Sequence, residues 1–510
     1  MEIDVVKNAK RNIIFGIVNK VIIMLCPFIE RTLIQYILGA KYLGLDSLFN
    51  SILSVLSITE LGFSSAVIYN MYKPVAKGDT ATVNALLNFY RKVYRIIGLL
   101  ILVIGLGGIP FLTKLISGEY PEDLNLIALY LIYLINVVIS YFMYAYMSSL
   151  IVVYQRDDIS STVNSVTKIL LTVAQILVLI ITKNYYLIIA LMPVFTIINN
   201  LWTAIIVKKN FPMYHCQGKL PKEKIKEIKK LVMGTFIQRA CAVTRNSLDS
   251  ICLSAFLGLT ITAIYNNYYM ISSAVTTCLG IVSAAFVGGI GNHVATRSAE
   301  KNFDELMKID FVYMLMSGWC AVFLLCLYQP FMRLWMGEKM LFPLSTVVLF
   351  VLYFYSLKLG DMRTMYSTTN GLWWHHRYRS IAETVLNLVL NITLGYFWGV
   401  HGIILATMIS LLVCNFIWGT QITIKMAFGE KYIKPYYIYH AKYGIVSVVI
   451  CIITFLLCDM MPEIGAVTDL IIRIILCMVV PGILYVGIYY RNENFKYMLM
   501  RLRKKNKMSY

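Results

Sequence analysis

The stretch Val232–Gly258, VMGTFIQRACAVTRNSLDSICLSAFLG, is an apolar segment of membrane length that nevertheless carries Arg239, Arg245 and Asp249. A second stretch, Ile13–Gly39, follows the same plan with Lys20, Glu30 and Arg31. Sliding one over the other by 219 residues without gaps sets Lys20 on Arg239, Asn19 on Gln238, Glu30 on Asp249 and Leu38-Gly39 on Leu257-Gly258. A fixed offset of this kind is the mark of an internal repeat. Charge at the centre of a membrane helix costs about 2.5–3.5 kcal/mol on insertion scales, so charges held there point to function. Here they occur twice, in register.

The surrounding chain has the composition such helices need. Of 510 residues, 59% are hydrophobic and 14% charged, against about 45–50% apolar and 25% charged in soluble domains. Apolar runs recur from end to end, each long enough to cross ~30 Å of hydrocarbon. They predict spans at 12–38, 43–72, 88–116, 124–154, 160–182, 185–207, 228–257, 260–292, 306–334, 341–368, 378–398, 401–427, 440–459 and 464–490. The fold class is therefore an all-α polytopic membrane protein of about 14 transmembrane helices. Short alternating strands, the signature of a membrane barrel, are absent from the pattern.

The net charge of +20 is a matter of topology rather than nucleic acid. Lys and Arg gather in alternate loops, most densely at Lys208–Lys230 and Arg501–Lys507, with Lys7, Lys10, Arg11, Lys73, Lys77, Arg91, Lys92, Arg377 and Arg379 on the same side. The other loops are short and lean acidic, at Glu119, Glu122, Asp123, Asp459 and Glu463. The positive-inside rule puts the basic side and both termini in the cytoplasm. The N-terminus lacks the layout of a cleavable signal.

A second pair of segments supports the repeat. Pro110-Phe111 runs through one base to Gly118-Glu119, and Pro330-Phe331 runs through one base to Gly337-Glu338. The expected organisation is an N-lobe at 1–207, a basic linker at 208–230, a C-lobe at 231–430, an appended helix pair at 431–490 and a basic tail at 491–510. Six helices per repeat preserve orientation, so the lobes form a parallel repeat, and such transporters bind substrate between lobes.

Candidate binding groups are the intramembrane bases Lys20, Arg31, Arg239, Arg245, Lys358 and Arg363. Arg suits phosphate because its planar fork engages two oxygens. The acids Glu30, Glu60, Asp249, Asp361 and Glu383 are expected to neutralise these bases or to couple a proton or sodium ion. Arg245 and Asp249 lie one turn apart and can pair, as can Lys358 and Asp361. The same charges also fit a packing role, in which buried pairs fix helices and Lys20 and Arg239 snorkel to the interface. The turn Trp373-Trp374-His375-His376-Arg377-Tyr378-Arg379 reads as an aromatic belt with inside charge, and Arg501–Lys507 as a tail facing anionic lipid.

Enzymatic constellations are missing: there is no H-E-x-x-H, Walker loop or G-x-S-x-G. The eleven cysteines show no ligand spacing and sit mostly in apolar spans, where a thiol packs as a small hydrophobe. Neither a disulfide framework nor a metal site is expected.

The order of elements resembles a known family. It includes Leu38-Gly39 followed by Gly44, Leu45, Ser47, Leu48 and Phe49. It also includes Asp249 ahead of Leu257-Gly258, then Ala263-Ile264-Tyr265-Asn266, and the two Pro-Phe…Gly-Glu ends. Together they resemble the polysaccharide transporter family of O-antigen-type, lipid-linked oligosaccharide flippases, within the multidrug/oligosaccharidyl-lipid/polysaccharide exporter superfamily. The resemblance implies two six-helix lobes around a cavity plus a C-terminal helix pair, in the bacterial inner membrane. Its implied substrate is a polyprenyl-diphosphate-linked oligosaccharide, flipped by alternating access for O-antigen or capsule synthesis without a cofactor, beside polymerase and glycosyltransferases. Two rival functions remain: a cation-coupled drug or metabolite antiporter of the same superfamily, and a non-transport envelope-assembly protein.

Overall fold

The computed structural model describes residues 5–60, 62–462 and 464–497. The basic tail Arg501–Lys507 and Glu463 lie outside the described residues, as do the side chains of Lys7 and Lys10. Among the described residues every regular element is helical. The chain divides into two compact units, Met1–Ala263 and Ile264–Tyr510.

The first unit holds α1 (Val5–Ile37), α2 (Ala40–Leu56), α3 (Phe63–Ala76), α4 (Thr80–Gly108), α5 (Leu126–Phe142), α6 (Ser148–Val153), α7 (Asp157–Thr182), α8 (Tyr185–Asn210) and α9 (Lys222–Leu257). The chain then enters α10 (Leu259–Thr296), which runs into the second unit. That unit continues with α11 (Ala299–Met336), α12 (Leu344–Lys358), α13 (Asp361–Thr369), α14 (Arg377–Ser410), α15 (Gly419–Ala427), α16 (Ile433–Asp459) and α17 (Ala466–Tyr489). A π-helical stretch, Leu411–Trp418, joins α14 to α15.

Among the described residues nine helices are long and apolar enough to cross a membrane, and the pair around the 47° bend between Phe142 and Ala145 makes a tenth. The longest, Leu372–Ala427, has 56 residues and would measure about 84 Å if straight, far beyond one bilayer. It is a hairpin. Gly399 adopts φ 56, ψ −131, a conformation open only to glycine, and Asn387 Nδ2 donates to Thr407 Oγ1 at 2.9 Å across the fold-back. The spans 378–398 and 401–427 read from the sequence correspond to its two arms. The other spans coincide with single helices or with broken ones. Span 43–72 is interrupted by a 3-10 turn at Ser57–Glu60, 124–154 at Tyr144, and 341–368 at Leu359-Gly360.

The repeat has a conformational counterpart. Gly39, between α1 and α2, has φ 104, ψ 175, and Gly258, 219 residues later between α9 and α10, has φ 84, ψ 178. Both values need a residue without a Cβ. Lateral faces follow the helical period. On α4, Ile96, Leu99, Leu100, Val103 and Ile104 are exposed while Tyr94, Ile97 and Ile101 are buried, as expected of a helix between protein and lipid.

In the first unit α1 packs along α7, and α9 packs on α2 and α3. The helix expected to open the C-lobe is thus docked on N-terminal elements. The approach is close: Ser117 N–H donates to the Ser254 carbonyl at 2.8 Å, and a Cβ on Gly44 would fall 2.2 Å from the Leu259 carbonyl oxygen. In the second unit the terminal pair α16 and α17 packs on α11, where Trp319 Nε1 donates to the Cys477 carbonyl at 2.7 Å.

Candidate functional site

Glu30 and Arg31 leave α1 toward different helices. Lys168 of α7 reaches the Glu30 carboxylate at 3.3 Å. Arg31 lies 3.6 Å from Asp46 of α2, which also accepts the Tyr133 hydroxyl at 2.7 Å. Tyr133 and Tyr185 stand 3.1 Å apart, hydroxyl to hydroxyl. Two acids and two bases are therefore matched inside one unit, which removes most of the cost of each charge at membrane depth.

Glu60, at the break between α2 and α3, accepts hydrogen bonds from Tyr94 and from Tyr141, the latter at 2.7 Å. Tyr90 donates to Tyr94 at 2.8 Å, extending the chain of hydroxyls. Arg245 and Asp249 are buried one turn apart on α9. Lys20 on α1 and Arg239 on α9 differ from all of these: both are exposed. Arg239 Nη1 donates to Ser65 Oγ at 3.2 Å. Among the described residues neither takes part in an ion pair.

In the second unit Lys358 is buried and bonds Asp361 at 3.2 Å, and the Tyr313 hydroxyl donates to the same carboxylate at 2.6 Å. Arg363, expected to line the second lobe, is 2% exposed and faces the π-helical stretch. It donates to the carbonyls of Asn415 and Phe416 at 3.0 and 3.1 Å, to Thr420 Oγ1 at 2.8 Å and to Asn415 Oδ1 at 3.0 Å. A π-helix leaves carbonyls without their usual i+4 donors, and Arg363 supplies donors there. Glu383, one of the acids expected to neutralise bases or couple an ion, accepts from Arg379 at 2.9 Å. The sequence places Arg379 in the aromatic belt.

Several groups in these networks escaped the sequence reading. Asp46, Lys168 and Asp310 all fall inside predicted spans, so the cost of charge at depth was the signal that marks them. Asp310 of α11 and His440 of α16 lie 2.8 Å apart, both buried. Their pairing joins the terminal helices to α11 and is invisible without tertiary structure.

The arrangement has a consistent polarity. Glu30, Asp46, Glu60, Asp361 and Glu383 each hold a partner, while the candidate bases Lys20 and Arg239 are exposed. Exposed cations attract anions.

Solved structures share this fold. A structure of the lipid II flippase MurJ in an inward closed conformation aligns over 94% of this chain and 99% of its own at TM-score 0.68 with 16% identity. An inward-facing multidrug resistance MATE family transporter of the MOP superfamily aligns over 78% and 94% at TM-score 0.60 with 15% identity. A MOP superfamily transporter from Pyrococcus furiosus, described as having a binding pocket of reversed polarity, aligns over 82% and 96% at TM-score 0.54 with 14% identity. No curated protein matches the sequence. The family described as polysaccharide biosynthesis protein matches residues 9–287, more than half of the chain, and the chain, a multi-pass membrane protein by its apolar helices, belongs to that family.

Proposed function

We propose that this chain flips a polyprenyl-diphosphate-linked oligosaccharide from the cytoplasmic to the outer leaflet of a bacterial inner membrane by alternating access. The observation that carries this reading is the sign of the exposed charge. The acids are matched, and Lys20 and Arg239 are presented on apolar helices. A diphosphate meets them with charge-assisted hydrogen bonds. A cation extruder needs the opposite polarity at that position. Arg31, in the same unit, is a secondary ligand, released when substrate oxygens replace Asp46. Arg245 with Asp249 provides a buried charged step behind Arg239, and Arg363 belongs to packing.

The second unit offers a place for the lipid. A groove of about 350 Å³ between α11, α12 and α16 is lined by Leu325, Val348, Leu352, Val448, Ile452 and Phe455 among others, apolar surface suited to an isoprenoid tail. The positive-inside pattern puts both termini in the cytoplasm. An inside-negative potential then favours outward movement of the anionic head by about 2.3 kcal/mol per charge per 100 mV.

The test is Lys20→Ala/Arg239→Ala in cells that depend on this chain for surface polysaccharide. The expected result is at least about a tenfold loss of surface polysaccharide, with unchanged amounts of protein in the membrane, since a charge-assisted contact is worth about 1.5–3 kcal/mol. Normal surface polysaccharide in the double variant refutes the reading.

A further inference from the structure

Three cysteines that are far apart in sequence meet inside the second unit. Cys326 of α11, Cys458 at the end of α16 and Cys477 of α17 are buried, and their Sγ atoms all lie within 4.8 Å of one another. Among the described residues they are the one group of His, Cys, Asp or Glu side chains so arranged. Three sulfurs bound at about 2.3 Å around one ion in a plane stand about 4.0 Å apart. The cluster therefore reaches that geometry by closing its longest separation by less than about 1 Å.

Packing alone explains one buried thiol, which behaves as a small hydrophobe. It does not explain what stands beside these three. Arg473, one turn before Cys477 on α17, acts electrostatically on both Cys458 and Cys477. A guanidinium one turn away on the same helix favours negative charge developing on these sulfurs. Arg473 also lines a small pocket with Met461, Pro462 and Asp469. Met460 and Met461 follow Cys458 by two and three residues, and Met460 is 81% exposed.

We propose that Cys326, Cys458 and Cys477 form a binding site for a soft monovalent cation of the Cu(I) class. Thiolate sulfur selects soft ions, and a three-donor set suits Cu(I), whereas a structural Zn(II) site takes four ligands in a tetrahedron. Three thiolates and one Cu(I) carry a net charge of −2, which the Arg473 guanidinium offsets in part. Binding therefore releases three protons to solvent. The ion ties α16 and α17 to α11, the helix on which both already pack.

The test uses the purified, reduced full-length chain, titrated with Cu(I) against a chromophoric Cu(I) chelator. One equivalent is expected to survive competition, with three sulfurs near 2.3 Å in its X-ray absorption shell and a rise in Tm on loading. Cys458→Ser and Cys477→Ser should each weaken retention about a hundredfold or more, since even outer-shell changes at metal sites cost 10–100-fold. A variant with Ser at the four cysteines that are not buried, Cys216, Cys241, Cys278 and Cys320, should keep the ion. This variant decides the question if the buried substitutions fail to fold. Loss of the ion in that variant overturns the site. So does failure of folded wild type to hold Cu(I) against the chelator, or tighter retention of Zn(II) than of Cu(I).

Discussion

Arg363 and Arg239 are both arginines in apolar helices, and their surroundings give them opposite work. Arg363 spends its donors on Asn415, Phe416 and Thr420, so Arg363→Met leaves carbonyls without donors in a dry interior. A loss of about 2–4 kcal/mol is expected in unfolding measurements in detergent, with ligand affinity of the folded fraction unchanged. Weakened binding at unchanged stability would instead make Arg363 a ligand. The buried Arg379–Glu383 pair allows a sharper measurement. Arg379→Gln alone strands a carboxylate and should cost about 3–5 kcal/mol, while Arg379→Gln/Glu383→Gln should cost much less than the sum of the single changes. Strict additivity would show that the two do not interact. The sequence marks such residues by their depth but not by their partners. The four-residue spacing of Arg379 and Glu383 was readable, whereas nothing local tells that Lys168 answers Glu30 or that His440 answers Asp310.

At the level of elements, apolar length was enough to mark an all-helical multi-pass chain, because membrane insertion acts on runs of about 20 residues, although nine or ten of the described helices, rather than fourteen, are long and apolar enough to cross. The offset of 219 residues located Gly39 and Gly258, which share one backbone conformation. The breaks inside segments were not legible. The interruptions at Ser57–Glu60, Tyr144 and Leu359-Gly360 depend on neighbours that take up the freed backbone groups, and those neighbours come from distant sequence. Nor did the pattern show that α9 docks on α2 and α3, since apolar faces do not name their partners. Glycines test that docking. Gly44→Ala and Gly258→Ala each bring a Cβ within 3 Å of a carbonyl oxygen, and Gly258 also has φ +84. Each should lower stability by about 1–3 kcal/mol. Gly16→Ala, in α1 with nothing within 4 Å, should be neutral or stabilising by up to about 1 kcal/mol. Equal effects at all three positions would refute the close approach at Gly44 and Gly258.

For the whole molecule, the fold is shared by proteins described as flippases and as multidrug transporters, so fold does not choose the substrate. Charge does. The sequence showed more bases than acids within the spans. In the structure the candidate acids have found partners, while the candidate bases Lys20 and Arg239 are exposed. The most direct measurement is binding of a short-chain polyprenyl-diphosphate sugar to the purified chain, wild type beside Lys20→Ala/Arg239→Ala, with a cationic dye as the competing ligand. Saturable binding of the anionic lipid by wild type, weakened at least about tenfold in the double variant, is the expected result. Tight dye binding by a wild type that ignores the lipid-linked sugar would contradict it.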